Sequence, residues 1–315
     1  MSSKDEPEAP RLLRKLNLMD TTFLAIGSMV GSGIFLTSGK IAAKVASPGL
    51  LLLVWVVGGF IALCGALTYA ELGVMYPRAG GQYLYLREAY GDFAAFFYGW
   101  GFFWFIQCGG IAALAVAFAE YVGYFAPALS PESFLLKVNI AGLHYGLSAG
   151  QLVAIASIII LSVINFFGVR SGATVQNILT FLRIGSVGIF VVLGLTAGSR
   201  AGITSLPQLF SSPGDSGGSI AISFGLALIA ALWTYDGWYA INCAAEEVIE
   251  PARNIPRALI LATLGVALAY MLVNVIYVIA LPFDQVMGAT KIGEQASLQL
   301  FGKGVHRVSV GVTGR

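Results

Sequence analysis

Long apolar runs separated by short polar segments organise this chain. A bilayer's hydrocarbon core, ~30 Å thick, needs about 20 apolar residues per crossing helix. Measured against that length, the sequence predicts seven crossing segments, near 20–44, 48–74, 92–126, 149–168, 174–197, 219–245 and 256–282. The third is long enough to tilt or to project beyond the membrane. Polar, Gly- and Pro-rich stretches separate most of them, among them 198–218, which holds Pro207 and Pro213. Residues 1–19 form a polar tail ahead of the first span. Residues 283–315 carry Asp284, Lys291, Glu294, Lys303, His306 and Arg307 and complete no further crossing. The expected fold is all-α and membrane-embedded.

Two of the spans are interrupted. The first contains Gly27-Ser-Met-Val-Gly-Ser-Gly-Ile-Phe35, and each Gly costs a helix about 1 kcal/mol relative to Ala. Opening one turn here exposes backbone polar groups at membrane depth, which is tolerable only beside a cavity or inside protein. The freed N–H groups near Ser32 and Gly33, at the start of the second half-helix, suit a carboxylate. The freed carbonyls near Ile26 and Met29 suit an ammonium group. One broken helix thus offers both ends of an α-amino acid. The same glycines also fit a small-xxx-small packing face, with Gly27 and Gly31 admitting a neighbouring helix. The sixth span supplies Trp233-Thr-Tyr-Asp-Gly-Trp238. Asp236 beside Gly237 in an apolar run is expensive unless it faces a cavity or a partner. Trp233 or Tyr235 then reads as a lid over a bound solute, or as an interfacial anchor. Paired interruptions in corresponding spans point to a midplane site between inverted repeats.

Composition agrees with the membrane reading. Hydrophobic residues make up 57% of the 315 and charged residues 11%, with a mean hydropathy of +0.81. A soluble domain carries about twice that charged share. The net charge of +2 gives no reason to expect nucleic acid as a partner. Cys64, Cys108 and Cys243 lie far apart in apolar runs, without metal-ligand spacing, and read as buried thiols. His144 and His306 are the only histidines, both placed in loops, so nothing suggests catalysis, a metal or a cofactor. Lys4, Arg11, Arg14, Lys15, Arg78, Arg87, Arg170, Arg253 and Arg257 fall on the N-terminal side of the membrane. Lys40, Lys44, Lys137 and Arg200 fall opposite, which predicts a cytoplasmic N-terminus.

The motifs together resemble the amino acid–polyamine–organocation superfamily, and within it the L-type amino acid transporter-like permeases. Besides the two interrupted segments, the likeness rests on Tyr69-Ala-Glu-Leu-Gly73, Pro77-Arg-Ala-Gly-Gly-Gln-Tyr83 and Glu246-Glu-Val-Ile-Glu-Pro-Ala-Arg-Asn-Ile-Pro256. It covers residues ~12–300 in consistent order and spacing. The resemblance implies two inverted five-helix repeats, typically within twelve helices. That makes 20–197 the first repeat, 198–218 an extracytoplasmic loop and 219–282 the first two helices of the second. It also implies a plasma-membrane secondary transporter of amino acids, with the Gly31-Ser32-Gly33 stretch on the substrate carboxylate. The carbonyl of Met29, with those of Trp233 and Asp236, would receive the amino group, and Trp233 would gate. The Asp236 side chain either touches substrate or holds the broken helix. Glu246 or Glu247, paired with Arg78 or Arg87, would latch the cytoplasmic side; the same acids also read as a solvated face.

Arg183 falls where the resembled family often carries a lysine in span five, at a position corresponding to a sodium ion in related transporters. A buried ammonium can release its proton. A guanidinium effectively cannot, so an exchanger or facilitator is expected rather than a proton- or sodium-driven pump. Two departures stand out. Family members that pair with a heavy chain use a cysteine between spans three and four, and 127–148 contain none, so no disulfide-linked partner is expected. The second repeat lacks three of its spans, and Val308-Ser-Val-Gly-Val-Thr-Gly-Arg315 reads as the start of an eighth. The alternatives are a seven-span receptor or sensor and a non-transporting fragment of a permease.

Overall fold

The computed structural model describes residues 12–31, 33–140, 143–167, 169–201, 219–289 and 292–301. Ser32, most of the 198–218 segment and the final stretch from 302 lie outside the described residues. Residues 1–81 with 175–315 make one compact unit and 82–174 a second.

Among the described residues, six helices are long and apolar enough to cross a membrane, and a seventh, shorter apolar helix spans Ile220–Tyr235. In the first unit, α1 (Leu18–Met29) opens on a capping box. Asn17 Oδ1 accepts from the Asp20 N–H at 2.9 Å while Asp20 Oδ2 accepts from the Asn17 N–H at 3.2 Å. The helix stops at Val30, whose backbone leaves the helical region, and α2 (Gly33–Val45) begins after the gap. A left-handed Ala46 and the Ser47-Pro48 pair turn the chain into α3 (Pro48–Met75), with proline at its first position.

The buried stripe of α3 is Leu51, Val54, Trp55, Gly58, Gly59, Ala62, Ala66, Ala70 and Gly73. Small residues at helical spacing bring backbones close where lipid supplies no hydrophobic drive between helices. Here they receive α9 (Ile220–Tyr235) and α11 (Pro251–Ala280). A Cβ on Gly58 would lie 3.3 Å from the Tyr235 ring, and one on Gly59 would lie 3.1 Å from Ala267. The opposite face of α3, with Leu53, Val56, Phe60 and Leu67, is exposed, as suits contact with acyl chains. Cys64 lies off the small-residue stripe and is exposed, as is Cys243, while Cys108 is half-buried. The expectation of three buried thiols is corrected accordingly.

The second unit holds α4 (Gln82–Tyr90), α5 (Asp92–Gly101), a π-helical stretch (Phe102–Gln107) and α6 (Cys108–Phe125), so the long third span is continuous but bulged. An antiparallel hairpin, β1 (Phe134–Ile140) with β2 (Leu143–Ser148), leads into α7 (Ala149–Phe166). The all-α fold class holds, with this one hairpin the sole sheet among the described residues. Its short polar–apolar alternation is weak beside the neighbouring helical runs. Ala115, Ala119 and Ala154 form the seam between α6 and α7.

Helix α8 (Val169–Ala201) continues past the predicted fifth span. Beyond α9, the four-residue α10 (Ala240–Cys243) completes the broken sixth span. Past α11, α12 (Phe283–Val286) and α13 (Ile292–Phe301) fold back on α2. There the Gly288 N–H donates to the Gly39 carbonyl at 3.0 Å. A Cβ on Gly39 would collide with the Ala289 carbonyl oxygen, a backbone atom with little room to retreat. Gly39→Val is expected to cost about 1–3 kcal/mol by overpacking. The check is thermal unfolding in detergent, in which the melting temperature should fall by several degrees; an unchanged value would refute the contact's rigidity.

Candidate functional site

The carbonyls at the end of α1 are the starting point, because a helix that stops in an apolar setting leaves its last C=O groups without helical partners. The Ile26 carbonyl accepts from the Val30 N–H at 2.7 Å and closes the last turn. The carbonyls of Gly27 and Val30 both accept from Arg183 Nη1, at 2.9 and 3.0 Å. The Met29 carbonyl accepts from the Tyr270 hydroxyl at 2.9 Å. Charge-assisted bonds such as the Arg183 pair are roughly twice as strong as neutral ones. The broken end is therefore tied down by side chains from two unbroken helices.

Span five meets span one along one stripe of α8. Asn177 Nδ2 donates to Asp20 Oδ1 at 2.6 Å and the Thr180 hydroxyl to the Phe23 carbonyl at 3.3 Å, with Arg183 one turn on. Residues 177, 180 and 183 follow a three-residue spacing, which keeps them on one face. Gly27 lets this stripe approach, since a Cβ there would overlap Gln176 Nε2 and Thr180 Oγ1. The small-residue packing reading thus applies to Gly27. Gly31 has open space around its Cα and is exposed, so no such contact constrains it.

The sixth span breaks at Asp236. Its N–H reaches back to the Trp233 carbonyl at 3.4 Å, after which Gly237 takes φ +110°, in the region that favours glycine. A Cβ at Gly237 would lie 2.5 Å from the Ser28 carbonyl oxygen and 3.2 Å from the Met29 nitrogen. The two breaks therefore touch, backbone to backbone. The halves beyond them also meet. Gly33 abuts the Thr234 methyl, and the Thr37 and Thr234 hydroxyls lie 3.0 Å apart.

The predicted site residues divide on this geometry. Ile26, Met29, Gly31, Gly33, Asp236 and Gly237 lie at the paired breaks; Ser32 lies outside the described residues. The Asp236 carboxylate accepts from the Tyr239 hydroxyl at 3.4 Å, within its own broken span. Trp233 is 71% exposed on α9. Tyr235 is corrected from a candidate lid to a core residue. It is 1% exposed, its hydroxyl donates to the Trp55 carbonyl at 3.0 Å, and its ring packs against Trp55 and Tyr270. Two residues along a helix is about 200° of rotation, so Trp233 and Tyr235 cannot share a face.

Where span one begins and span six ends, the chain is clasped through backbone groups. Glu246 Oε2 accepts from the Ala79 N–H at 3.2 Å, in the Pro77–Gly81 loop that also carries Arg78, and Oε1 accepts from the Leu12 N–H at 3.0 Å. The Glu247 carbonyl accepts from the Lys15 and Leu16 N–H groups at 2.8 and 2.9 Å, and the Ile249 N–H donates to the Leu16 carbonyl at 2.8 Å. Gly81, with φ +50°, seats against Cys243. Burial first, and then the Glu246 charge beside it, push the Glu247 carboxyl above its ordinary range. Arg87, offered as a latch partner, instead pairs with Asp92 at 2.6 Å across the turn at Gly91. The motif residues Tyr69 and Gly73 serve packing. Trp238 stands edge-on to Tyr69 at 5.0 Å, and Asn242 Nδ2 donates to the Tyr69 carbonyl at 2.7 Å beside Gly73.

Sequence reasoning missed Tyr270, Asn177, Thr180 and the Leu12–Leu16 segment. The polar stripe on span five was readable as a three-residue spacing. Tyr270 gave no signal, being one aromatic in an apolar helix.

The profile of the family described as "Amino acid permease" matches residues 16–313. The human b(0,+)-type amino acid transporter 1 is 32% identical over 273 residues, covering 86% of this chain and 52% of that protein. The serine/threonine exchanger SteT of Bacillus subtilis is 29% identical over 306 residues, covering 96% of this chain and 63% of that protein. The human cystine/glutamate transporter is 28% identical over 304 residues, covering 96% and 57%. The chain thus spans about half to under two thirds of the length of these relatives. With the match running through both helix breaks and all the motifs that frame them, the chain belongs to the amino acid permease family.

Proposed function

We propose that this chain forms the substrate-binding part of a secondary amino acid transporter, working by alternating access as an exchanger or facilitator in the plasma membrane. The observation that carries the reading is the meeting of the two breaks, where Gly237 packs on the Ser28 carbonyl. An α-amino acid binds there with its carboxylate on the amides of the Gly31-Ser32-Gly33 turn, at the start of α2. Its ammonium takes the second lone pair of the Met29 carbonyl and the main-chain carbonyls of Trp233 and Asp236. Exposed Trp233 closes over it. No covalent step, metal or cofactor enters this cycle.

Two relatives are named as an exchanger and as a cystine/glutamate transporter, which favours exchange over a driven pump. Arg183 supports the same view. It already satisfies the carbonyls of Gly27 and Val30, and a guanidinium does not give up its proton in a transport cycle. The N-terminus is cytoplasmic in this reading. The Leu12–Leu16 segment, Glu246 and the Pro77–Gly81 loop then clasp the cytoplasmic side. No disulfide-linked heavy chain is required.

Three measurements test this. Binding of radiolabelled amino acids to the chain in nanodiscs should be stereoselective and weakened about tenfold by Trp233→Ala, the order expected for losing one large contact. A panel of the twenty amino acids with no binder would overturn the reading. Exchange or binding should be flat from about pH 6 to 9 and indifferent to Na⁺, whereas Arg183→Lys should introduce a pH dependence; a wild-type response to either gradient refutes the uncoupled mechanism. Glu246→Gln removes the charge from two amide contacts and should speed proteolysis before residue 16 severalfold. The raised Glu247 carboxyl is favoured in its protonated form by the fold, so the clasp should loosen as pH rises through that value. Glu246→Gln removes one of the two causes and should move this loosening to lower pH. Equal cleavage rates in variant and wild type would remove the clasp.

A further inference from the structure

Tyr270 lies on unbroken α11, and the transport reading gives it no role. It is 1% exposed, in an aromatic cluster with Trp55 at 5.6 Å and Tyr235 at 5.2 Å between ring centroids. Its hydroxyl donates to the Met29 carbonyl at 2.9 Å, and the Thr234 carbonyl lies 3.5 Å from the same oxygen. One hydroxyl thus meets the Met29 carbonyl at the break of span one and the last turn of α9 in span six.

A tyrosine hydroxyl has a single proton and two lone pairs. The shorter distance places the proton on Met29, leaving the Thr234 carbonyl within reach of a small shift of α9. Without the hydroxyl, the Met29 carbonyl loses its partner in surroundings where unmet backbone groups are costly.

We propose that Tyr270 is a positioning residue for the amino acid site: its hydroxyl is the shared tie that holds the unwound turn of span one open and registers it against the break in span six. The proposal rests on the transport reading for its effect on substrate, but its structural half stands apart from it. The tie leaves one lone pair of the Met29 carbonyl for the substrate and fixes that carbonyl before substrate arrives.

The test is Tyr270→Phe, which keeps the ring packed on Trp55 and Tyr235 and removes only the oxygen. In nanodiscs, hydrogen–deuterium exchange in peptides covering 26–35 should accelerate about tenfold, as expected for one lost hydrogen bond. Peptides from α11 itself should be unchanged. In proteoliposomes, the half-saturating amino acid concentration should rise about tenfold, with the maximal exchange rate altered about twofold or less. Unchanged exchange over 26–35, faster exchange throughout α11, or an unaltered half-saturating concentration overturns the proposal. A wild-type chain that binds and moves no amino acid would instead defeat the transport reading, and the deuterium result alone would then decide whether Tyr270 fixes the breaks.

Discussion

A backbone that leaves the helix inside an apolar slab must find partners for every exposed N–H and C=O, and this requirement governs the first unit. Each helical hydrogen bond given up at Val30 and Asp236 exposes groups that lipid cannot satisfy. The chain answers with side chains from intact helices. Arg183 on α8 takes two carbonyls of span one, and Tyr270 on α11 takes a third. The Asp236 carboxylate bonds the Tyr239 hydroxyl just past its own break. The irregularity of the broken spans is thus held by well-formed neighbours.

Close approach is the second half of the same constraint. Main-chain groups of two helices can meet only where side chains are missing, and the glycines fall where that is needed. Gly27 admits Gln176 and Thr180, Gly33 admits Thr234, and Gly237 rests on the Ser28 carbonyl. The left-handed region taken by Gly237 adds a conformational reason to the steric one. The Gly and Ala stripe of α3 plays the corresponding part at larger scale, seating Tyr235 and α11. A glycine-rich motif in this chain therefore carries two meanings, unwinding and packing. The local string Gly-Ser-Met-Val-Gly-Ser-Gly contains both.

The same two constraints set what could be read from the residues alone. Span positions were legible because an unbroken run of about twenty apolar residues suits a membrane crossing and little else. Each break was legible because glycine beside serine or aspartate opposes a helix. Partner choice was not legible. Arg183 reads equally as a residue reaching for the interface, and only folding shows it turned to the carbonyls of Gly27 and Val30. Trp233 and Tyr235 are interchangeable by composition, yet helical rotation sends one outward and the other into the core. Glu246 reaches the backbone of Ala79 and Leu12, contacts that charge counting does not contain. The β-bridge of Leu16 with Val248 joins segments over two hundred residues apart and leaves no local pattern.

The division of contacts among the half-helices has a mechanical consequence. On one side of the breaks, α2 and α9 are joined through Gly33, Thr37 and Thr234. On the other, the segment after α10 is bound to the Leu12–Leu16 segment and to the loop after α3. Between these clusters, α1 stops at Val30 and α9 stops at Asp236, and Gly237 packs on the Ser28 carbonyl where the two breaks meet. Motion of one cluster against the other therefore needs no intact helix to bend. It requires rotation at Val30–Gly31 and Asp236–Gly237, together with exchange of a few hydrogen bonds. Arg183 and Tyr270 approach from helices that do not break, through long or aromatic side chains. They can keep their carbonyls through such a rotation where a helical N–H, fixed in its own turn, could not. Satisfying the breaks with side chains is thus also what a hinge at these two points would require.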